Sequence, residues 1–178
     1  MLWEEIGDVY EDKLGERLNA VEAFEQALAY SSDIEPLLFR IIQILSDEED
    51  EKREKARLTE YFRDPQCVRN VEHVELFFNR LALKYDERKF VVDQLVKHTE
   101  SLANAGDKDI AGRLSDLLLS HDVEANDLRR QSFVGTVARV DIEAAHRRWR
   151  SLIKSVKRST EVSDIFEWTK KVLSDNFA

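Results

Sequence analysis

Apolar residues recur at spacings of three and four along almost the whole chain, which is the period of one face of an α-helix. The first run is Trp3, Ile6, Tyr10 and Leu14, and similar runs follow to the end of the chain. Only five glycines and two prolines occur in 178 residues, too few for the many turns of a β-sandwich or barrel. The spacing therefore predicts an all-α fold of helices joined by short turns.

The runs and the turn residues between them predict about ten helices in five pairs. Connections of about three residues favour antiparallel hairpins. Two capping-box patterns, Ser32–Glu35 and Ser46–Glu49, predict where the third and fourth helices begin. Later helices are predicted at 70–85, 88–104, 108–120, 124–139, 142–158 and 161–175. The segment 131–140 is rich in β-branched residues, so a short strand is the alternative there.

Charge is distributed unevenly along the chain. The net charge is −9, which disfavours nucleic-acid binding by the chain as a whole. Residues 1–50 carry fourteen acids and three bases, whereas residues 129–158 carry nine bases and two acids. The sequence therefore predicts an acidic front end and a basic segment near the back, and these opposite charges permit head-to-tail self-association.

The single cysteine, Cys67, excludes an internal disulfide framework and favours an intracellular, cytoplasmic protein. No stretch approaches the roughly 18 consecutive apolar residues of a membrane span, so none is expected. The helical pattern begins at once after Met1, without an N-cap residue. That start predicts a fragment of a longer repeat array.

Residues 3–27 resemble a tetratricopeptide repeat. On the first helix of that family, Trp, an apolar residue, Gly and Tyr stand at the spacing of Trp3, Ile6, Gly7 and Tyr10. On its second helix, Ala, Phe and Ala stand at the spacing of Ala20, Phe24 and Ala27. Gly7 fits because a neighbouring helix can press against a position without a side chain. The linker is one residue longer than the family pattern, and the markers are missing from residues 34–63.

The resemblance implies an α-solenoid of stacked antiparallel helix pairs, a class whose curved surfaces bind proteins or peptides. It predicts tetratricopeptide-like pairs over 1–64 and further hairpins that continue or cap the solenoid over 65–178, in one continuous domain. One subgroup of the family grips chaperone C-termini with a Lys and an Asn on the first helix. The matching positions are Glu4 and Asp8, whose acids would repel a carboxylate, so chaperone-tail binding is not expected.

No catalytic, cofactor or metal site is indicated by the sequence. Glu143 and His146 have the spacing of a di-iron helical bundle, but the second such motif that those sites need does not occur. Cys67 has no nearby His partner in sequence to activate it as a nucleophile. Phosphate loops and hydrolase or kinase signatures are missing. We therefore expect a non-enzymatic protein without cofactors.

The basic segment is the predicted contact surface. On a helix over 142–158, one face is apolar, with Trp149 in its middle, and the adjoining face is basic. The basic face predicts a partner-binding surface formed by Arg147, Arg150, Lys154, Lys157 and Arg158. An ordinary solvated helix face is the alternative; as a docking surface, the face would suit an acidic protein, an anionic membrane surface or nucleic acid, and a protein is the partner expected.

These features predict a non-catalytic scaffold of helical repeats that mediates protein–protein interaction within a larger protein or complex. The alternative is an accessory helical domain of an enzyme whose catalytic part lies elsewhere in the parent chain. A neighbouring catalytic segment in the parent gene would favour that alternative.

Overall fold

The computed structural model describes residues 2–123, 126–156 and 159–177, and all regular secondary structure in these ranges is helical. Ten α-helices are present there: α1 Leu2–Asp8, α2 Arg17–Leu28, α3 Glu35–Asp47, α4 Glu51–Arg63, α5 Val71–Asn79, α6 Arg88–Asn104, α7 Lys108–Ser120, α8 Asn126–Ala138, α9 Ile142–Ser155 and α10 Ser159–Phe177. α1 continues as a π-helix over Val9–Leu14 and α5 as a π-helix over Arg80–Lys84, and a 3₁₀ turn covers Cys67–Arg69. The prediction of an all-helical chain is confirmed for the described residues.

The short strand considered at 131–140 is wrong, because α8 runs through this segment to Ala138. Phe133 and Val137, four residues apart, are both 3% exposed and bury one helical face. The Thr136 hydroxyl donates a hydrogen bond to the Phe133 carbonyl at 2.7 Å, which satisfies this β-branched polar side chain within the helix. Burial of a helical stripe thus outweighs local β-propensity here.

Close packing divides the chain into two compact units, Met1–Val91 and Val92–Ala178. Within the first unit, α2 contacts α1 and α3, and α3 contacts α4. Within the second, α8 contacts α7, α9 and α10. The predicted boundary between tetratricopeptide-like pairs over residues 1–64 and further hairpins over residues 65–178 stays a prediction.

The core of the first unit is built around Phe24, which is fully buried on α2. A Cβ atom added to Gly7 of α1 would lie 2.5 Å from Phe24 Cδ1 and 2.7 Å from Cζ, so only glycine lets α1 approach this ring. The Arg40 guanidinium lies 4.4 Å from the centre of the same ring. It also binds Asp8 at 2.5 Å and Glu11 at 2.8 Å. The close approach expected at Gly7 is therefore present.

The core of the second unit has a closer helix crossing. A Cβ added to Gly112 of α7 would lie 2.6 Å from the Gly135 Cα of α8, and the converse distance is also 2.6 Å. Hydrogen bonds flank this crossing: Ser115 Oγ bonds Gln131 at 3.2 Å, and Ser132 Oγ donates to Asp116 at 2.5 Å. The small residues bring the two backbones together and align the polar side chains beside them.

The two capping-box predictions are wrong. Ser46 lies within α3, which packing of Ile44 and Leu45 extends to Asp47, and Asp50 caps α4 by accepting from the Arg53 N–H at 3.2 Å. α3 begins at Glu35, and its N-cap residue, Ile34, makes no side-chain capping bond. By contrast, the break predicted between the helices 88–104 and 108–120 is present at Gly106: its φ is +86°, and the next N–H bonds back to the Leu102 carbonyl at 2.9 Å.

In the described part of the chain, none of the helices combines the length and apolar character needed to span a bilayer.

Candidate protein-binding surface

α9 begins at a capped N-terminus and packs on the second unit by one side. The Asp141 carboxylate accepts a hydrogen bond from the Ala144 N–H at 2.9 Å and so caps the helix. Leu152 is 1% exposed and anchors the buried side. Next to it, Arg148 binds Asp116 of α7 at 2.9 Å, and Arg129 of α8 donates to Ser151 Oγ at 2.9 Å. These contacts fix which side of α9 faces outward.

The basic residues predicted on this helix lie on its outward side. Arg147 approaches Glu143 at 3.5 Å, with side chains 68% and 89% exposed, a surface pair that contributes little to stability. Arg150 and Lys154 are exposed, and neither has an ion-pair partner among the described residues. Lys157 and Arg158 lie outside the described residues. The structure therefore places three of the five predicted residues on one exposed face.

An apolar groove runs beside this basic face, between α9 and α10. Its volume is about 390 Å³. Trp149 of α9 meets Phe166 of α10 edge-to-face, with ring centres 5.4 Å apart, across the groove. Phe166 is 44% exposed and Leu173 41% exposed, so apolar surface is open to solvent. The residues lining the groove are Phe133, Ala145, His146, Trp149, Phe166, Thr169, Lys170 and Leu173.

The apolar face of α9 is less buried than its pattern predicts. Of the residues on that face only Leu152 is buried, and Ile142 is 75% exposed. Ile142 lies one turn before Ala145 and His146, and Trp149 one turn after them, so Ile142 extends the apolar wall beyond the groove. The sequence pattern did not indicate Phe166 and Leu173, which belong to the following helix, α10. Their spacing of seven residues, two helical turns, was the signal available.

The groove and the basic face form one continuous surface. Trp149 and Arg150 are consecutive, and successive side chains on a helix are about 100° apart. The basic side chains therefore border the groove along α9. The indole N–H of Trp149 has no hydrogen-bond acceptor among the described residues. An apolar channel with a cationic rim is a surface that an amphipathic helix with acidic flanks fits.

The chemistry around Cys67 does not favour a nucleophile. Cys67 is fully buried. Burial, together with the negative charges of Asp64 and Glu35, raises the pKa of its thiol. Glu35 is also the acceptor of a hydrogen bond from Tyr61 at 3.2 Å and contacts His73 Nδ1 at 2.6 Å. This cluster joins α3, α4 and α5 and suppresses the thiolate that nucleophilic chemistry needs.

A buried carboxylate in the first unit is likewise held by local partners. Glu54 is 1% exposed, and it accepts hydrogen bonds from Tyr85 and from Lys84, the latter at 2.9 Å. Burial alone would raise the pKa of Glu54, but these bonds and the charges of Lys84 and Arg80 lower it below its ordinary value. In the described residues, no three His, Cys, Asp or Glu side chains are grouped as metal ligands. The groove on the second unit is therefore the candidate site that the geometry favours.

Comparison with protein-family models, with curated proteins and with solved structures finds no match to this chain.

Proposed function

We propose that this chain is a non-catalytic helical-repeat scaffold that binds another protein through the groove and basic face of its second unit. The repeat part of the proposal is a solenoid of antiparallel pairs of the tetratricopeptide kind. It is supported by the glycine–phenylalanine approach at Gly7 and Phe24, at the positions that carry the family resemblance. It is also supported by the short connections between helices in contact.

A recurring helix end gives further support to the repeat. The Glu16 N–H bonds back to the Tyr10 carbonyl at 2.9 Å, around Gly15 with φ +70°. The Glu87 N–H bonds back to the Leu81 carbonyl at 3.1 Å, around Asp86 with φ +56°. Both ends close a π-helix, and they are separated by about two repeats of 34 residues. Two similar helix ends at that separation favour a repeated unit.

The observation that carries the binding proposal is the apolar groove bordered by the exposed bases of α9. Phe166 and Leu173 belong to an apolar wall that is open to solvent. A partner that covers this wall removes its apolar surface from water, which favours binding. Arg150 and Lys154 lack ion-pair partners among the described residues, so an acidic partner gains attraction without breaking an existing pair. The partner that fits is a protein segment whose helix has one apolar face and acidic flanks.

The experiment is a crosslinking pull-down from cells that produce the protein, with bound proteins quantified by mass spectrometry. The test variant carries Arg147→Glu, Arg150→Glu and Lys154→Glu. We expect the partners captured by the unmodified chain to fall by about tenfold or more, because reversed rim charges repel an acidic segment. Helical circular dichroism checks that the variant is folded.

A matched control carries Lys89→Glu, Lys97→Glu and Lys171→Glu, which change the net charge equally at exposed positions outside the groove lining. We expect this control to retain its partners. A folded test variant that captures the same proteins as the control would show that the basic face is not the binding surface. Phe166→Asp tests the apolar wall in the same assay, and undiminished capture would exclude the groove.

A further inference from the structure

The first helix presents an exposed apolar face. Gly7 presses α1 against Phe24 and so fixes which side of the helix is turned outward. On that outward side a shallow cavity of about 380 Å³ is lined by Leu2, Glu5, Ile6, Val9, Tyr10 and Leu14. Leu2 is 71% exposed, Val9 40% and Leu14 56%. Leu2, Ile6 and Val9 have the spacing of anchors that a helix inserts into a groove.

Acidic side chains accompany this apolar face. Asp8 and Glu11 are already bound to Arg40, at 2.5 and 2.8 Å. Glu5 and Asp12 are exposed and have no ion-pair partner among the described residues. Glu5 lines the cavity, and Asp12 lies on the π-helix that continues α1. The outward face of α1 and of the π-helix that continues it is thus an apolar stripe accompanied by two available negative charges.

The groove of the second unit has the complementary arrangement. Its cavity of about 390 Å³ has an almost wholly apolar surface. The bases beside it include Arg147, Arg150 and Lys154, of which Arg150 and Lys154 have no ion-pair partner among the described residues. Two available acids beside one surface and two available bases beside the other can pair when the helices lie side by side.

We propose that α1 of one copy of this chain docks in the α9–α10 groove of a second copy, head to tail. The inference rests on the proposed function, because it names the occupant of the same groove. Such a contact joins two different surfaces, so it extends to rings or filaments rather than stopping at a two-fold dimer. One helix in one groove buries a small interface, so association is weak and reversible, with a dissociation constant of about 10–100 µM.

The test exchanges the charges between the two surfaces in the full chain. The front variant carries Glu5→Lys and Asp12→Lys, and the back variant carries Arg150→Glu and Lys154→Glu. Each variant alone sets like charges against each other, so we expect its association to weaken about tenfold or more. An equimolar mixture restores opposite charges at every contact, and association should return to nearly that of the unmodified chain. Sedimentation velocity over a range of concentrations measures each case.

Several results would overturn the inference. The first is that the unmodified chain stays monomeric at about ten times the expected dissociation constant. The second is that either variant alone associates as well as the unmodified chain does. The third is that the mixture of the two variants does not regain the association of the unmodified chain. A control pair, Lys89→Glu and Lys171→Glu, makes the same change in net charge as the back variant and should leave association unchanged. Association should also fall when salt is raised to about 0.5 M.

The pull-down separates this inference from the proposed function. In one outcome, charge exchange does not affect self-association, but reversal of the α9 bases removes captured proteins other than this chain. The groove then binds a different acidic protein, and only the self-association inference fails. If neither assay responds to the α9 bases, both proposals fail. Val9→Ser, which removes an apolar anchor without changing charge, should weaken self-association and leave capture of other proteins intact.

Discussion

The crossing of α7 and α8 predicts an unusual response to alanine. In a helix interior, glycine to alanine normally stabilises by about 1 kcal/mol, because alanine is the better helix former. At Gly112 the added Cβ would lie 2.6 Å from the Gly135 Cα, whereas carbon atoms pack at about 3.5–4.0 Å. The two backbones must therefore separate by about 1 Å. In Gly135→Ala the added Cβ would overlap the Gly112 Cα in the same way, and it would also lie 2.9 Å from the Lys108 carbonyl oxygen.

The cost follows from what must move. A methyl group that forces a backbone shift in a packed core costs about 1–3 kcal/mol and occasionally more, and the contact of backbone with backbone places this crossing at the upper end. The gain in helix propensity offsets about 1 kcal/mol of this. We therefore expect each single substitution, Gly112→Ala or Gly135→Ala, to destabilise the second unit by about 1–3 kcal/mol. For a unit of this size, this lowers the melting temperature by about 5–15 °C.

The double variant sharpens the prediction. The first alanine separates the helices, so the second enters space that is already partly open. The free-energy change of the double variant should therefore be smaller than the sum of the two single changes. Gly112 and Gly135 would behave as independent sites only if their backbones did not touch.

Urea denaturation followed by tryptophan fluorescence measures these changes. A Trp3→Phe background leaves Trp149 and Trp168, both in the second unit, as reporters. Hydrogen exchange over α7 and α8 shows whether the loss of protection is centred on the crossing. Single variants as stable as the parent or more stable, or an additive double variant, would refute the close crossing.

Three further substitutions test other features. Val140 is a β-branched residue with φ +59° and 62% exposure, so Val140→Gly should raise the free energy of unfolding by about 1 kcal/mol, read from the urea midpoint. Glu54→Gln should lower stability at pH 7 by about 2–3 kcal/mol, because cationic partners lose their carboxylate. The pKa of Glu54 is lowered in the folded state, so the stability that its carboxylate contributes is complete above the unfolded pKa of about 4.3. That contribution is lost as the pH falls through the folded pKa, so the free energies of unfolding of parent and variant should converge in acid. Gly7→Ala should destabilise the first unit by about 1–2 kcal/mol, because the added methyl group overlaps the Phe24 ring. The change in Trp3 fluorescence should then occur at a lower urea concentration, and an unchanged midpoint would contradict the close packing.

Local periodicity carries most of the secondary structure, because each helix must bury one stripe whatever its neighbours are. This is why α8 is helical despite Val134, Thr136 and Val137, and why α7 spans the predicted 108–120. The helix starts were less predictable. Ser46 has a capping-box neighbourhood, yet burial of Leu45 keeps the chain helical past it. A cap acts only where packing has already ended the preceding helix.

Contacts between distant residues escaped the sequence pattern for a different reason. Gly7 was interpretable because a known repeat spacing surrounds it. Gly112 and Gly135 have no such context, and each on its own resembles a weak point in a helix. Their meaning depends on the two facing each other. The groove has the same difficulty: the stripe on α9 predicts an apolar face, but which part of it α10 leaves open depends on Phe166 and Leu173.

The exposed bases of α9 gain significance from the chain's excess of acid. There are 36 Asp and Glu against 27 Lys and Arg, so a basic side chain generally has acids available. Arg17, Arg40 and Arg57 each bind carboxylates. From Ala144 to Ser155, however, α9 contains no acidic residue. Glutamate is a good helix former and would supply a neutralising neighbour at i±4 without loss of helicity. The charges of Arg150 and Lys154 are therefore left available where neutralisation was simple, and this supports the proposal that the face binds a partner.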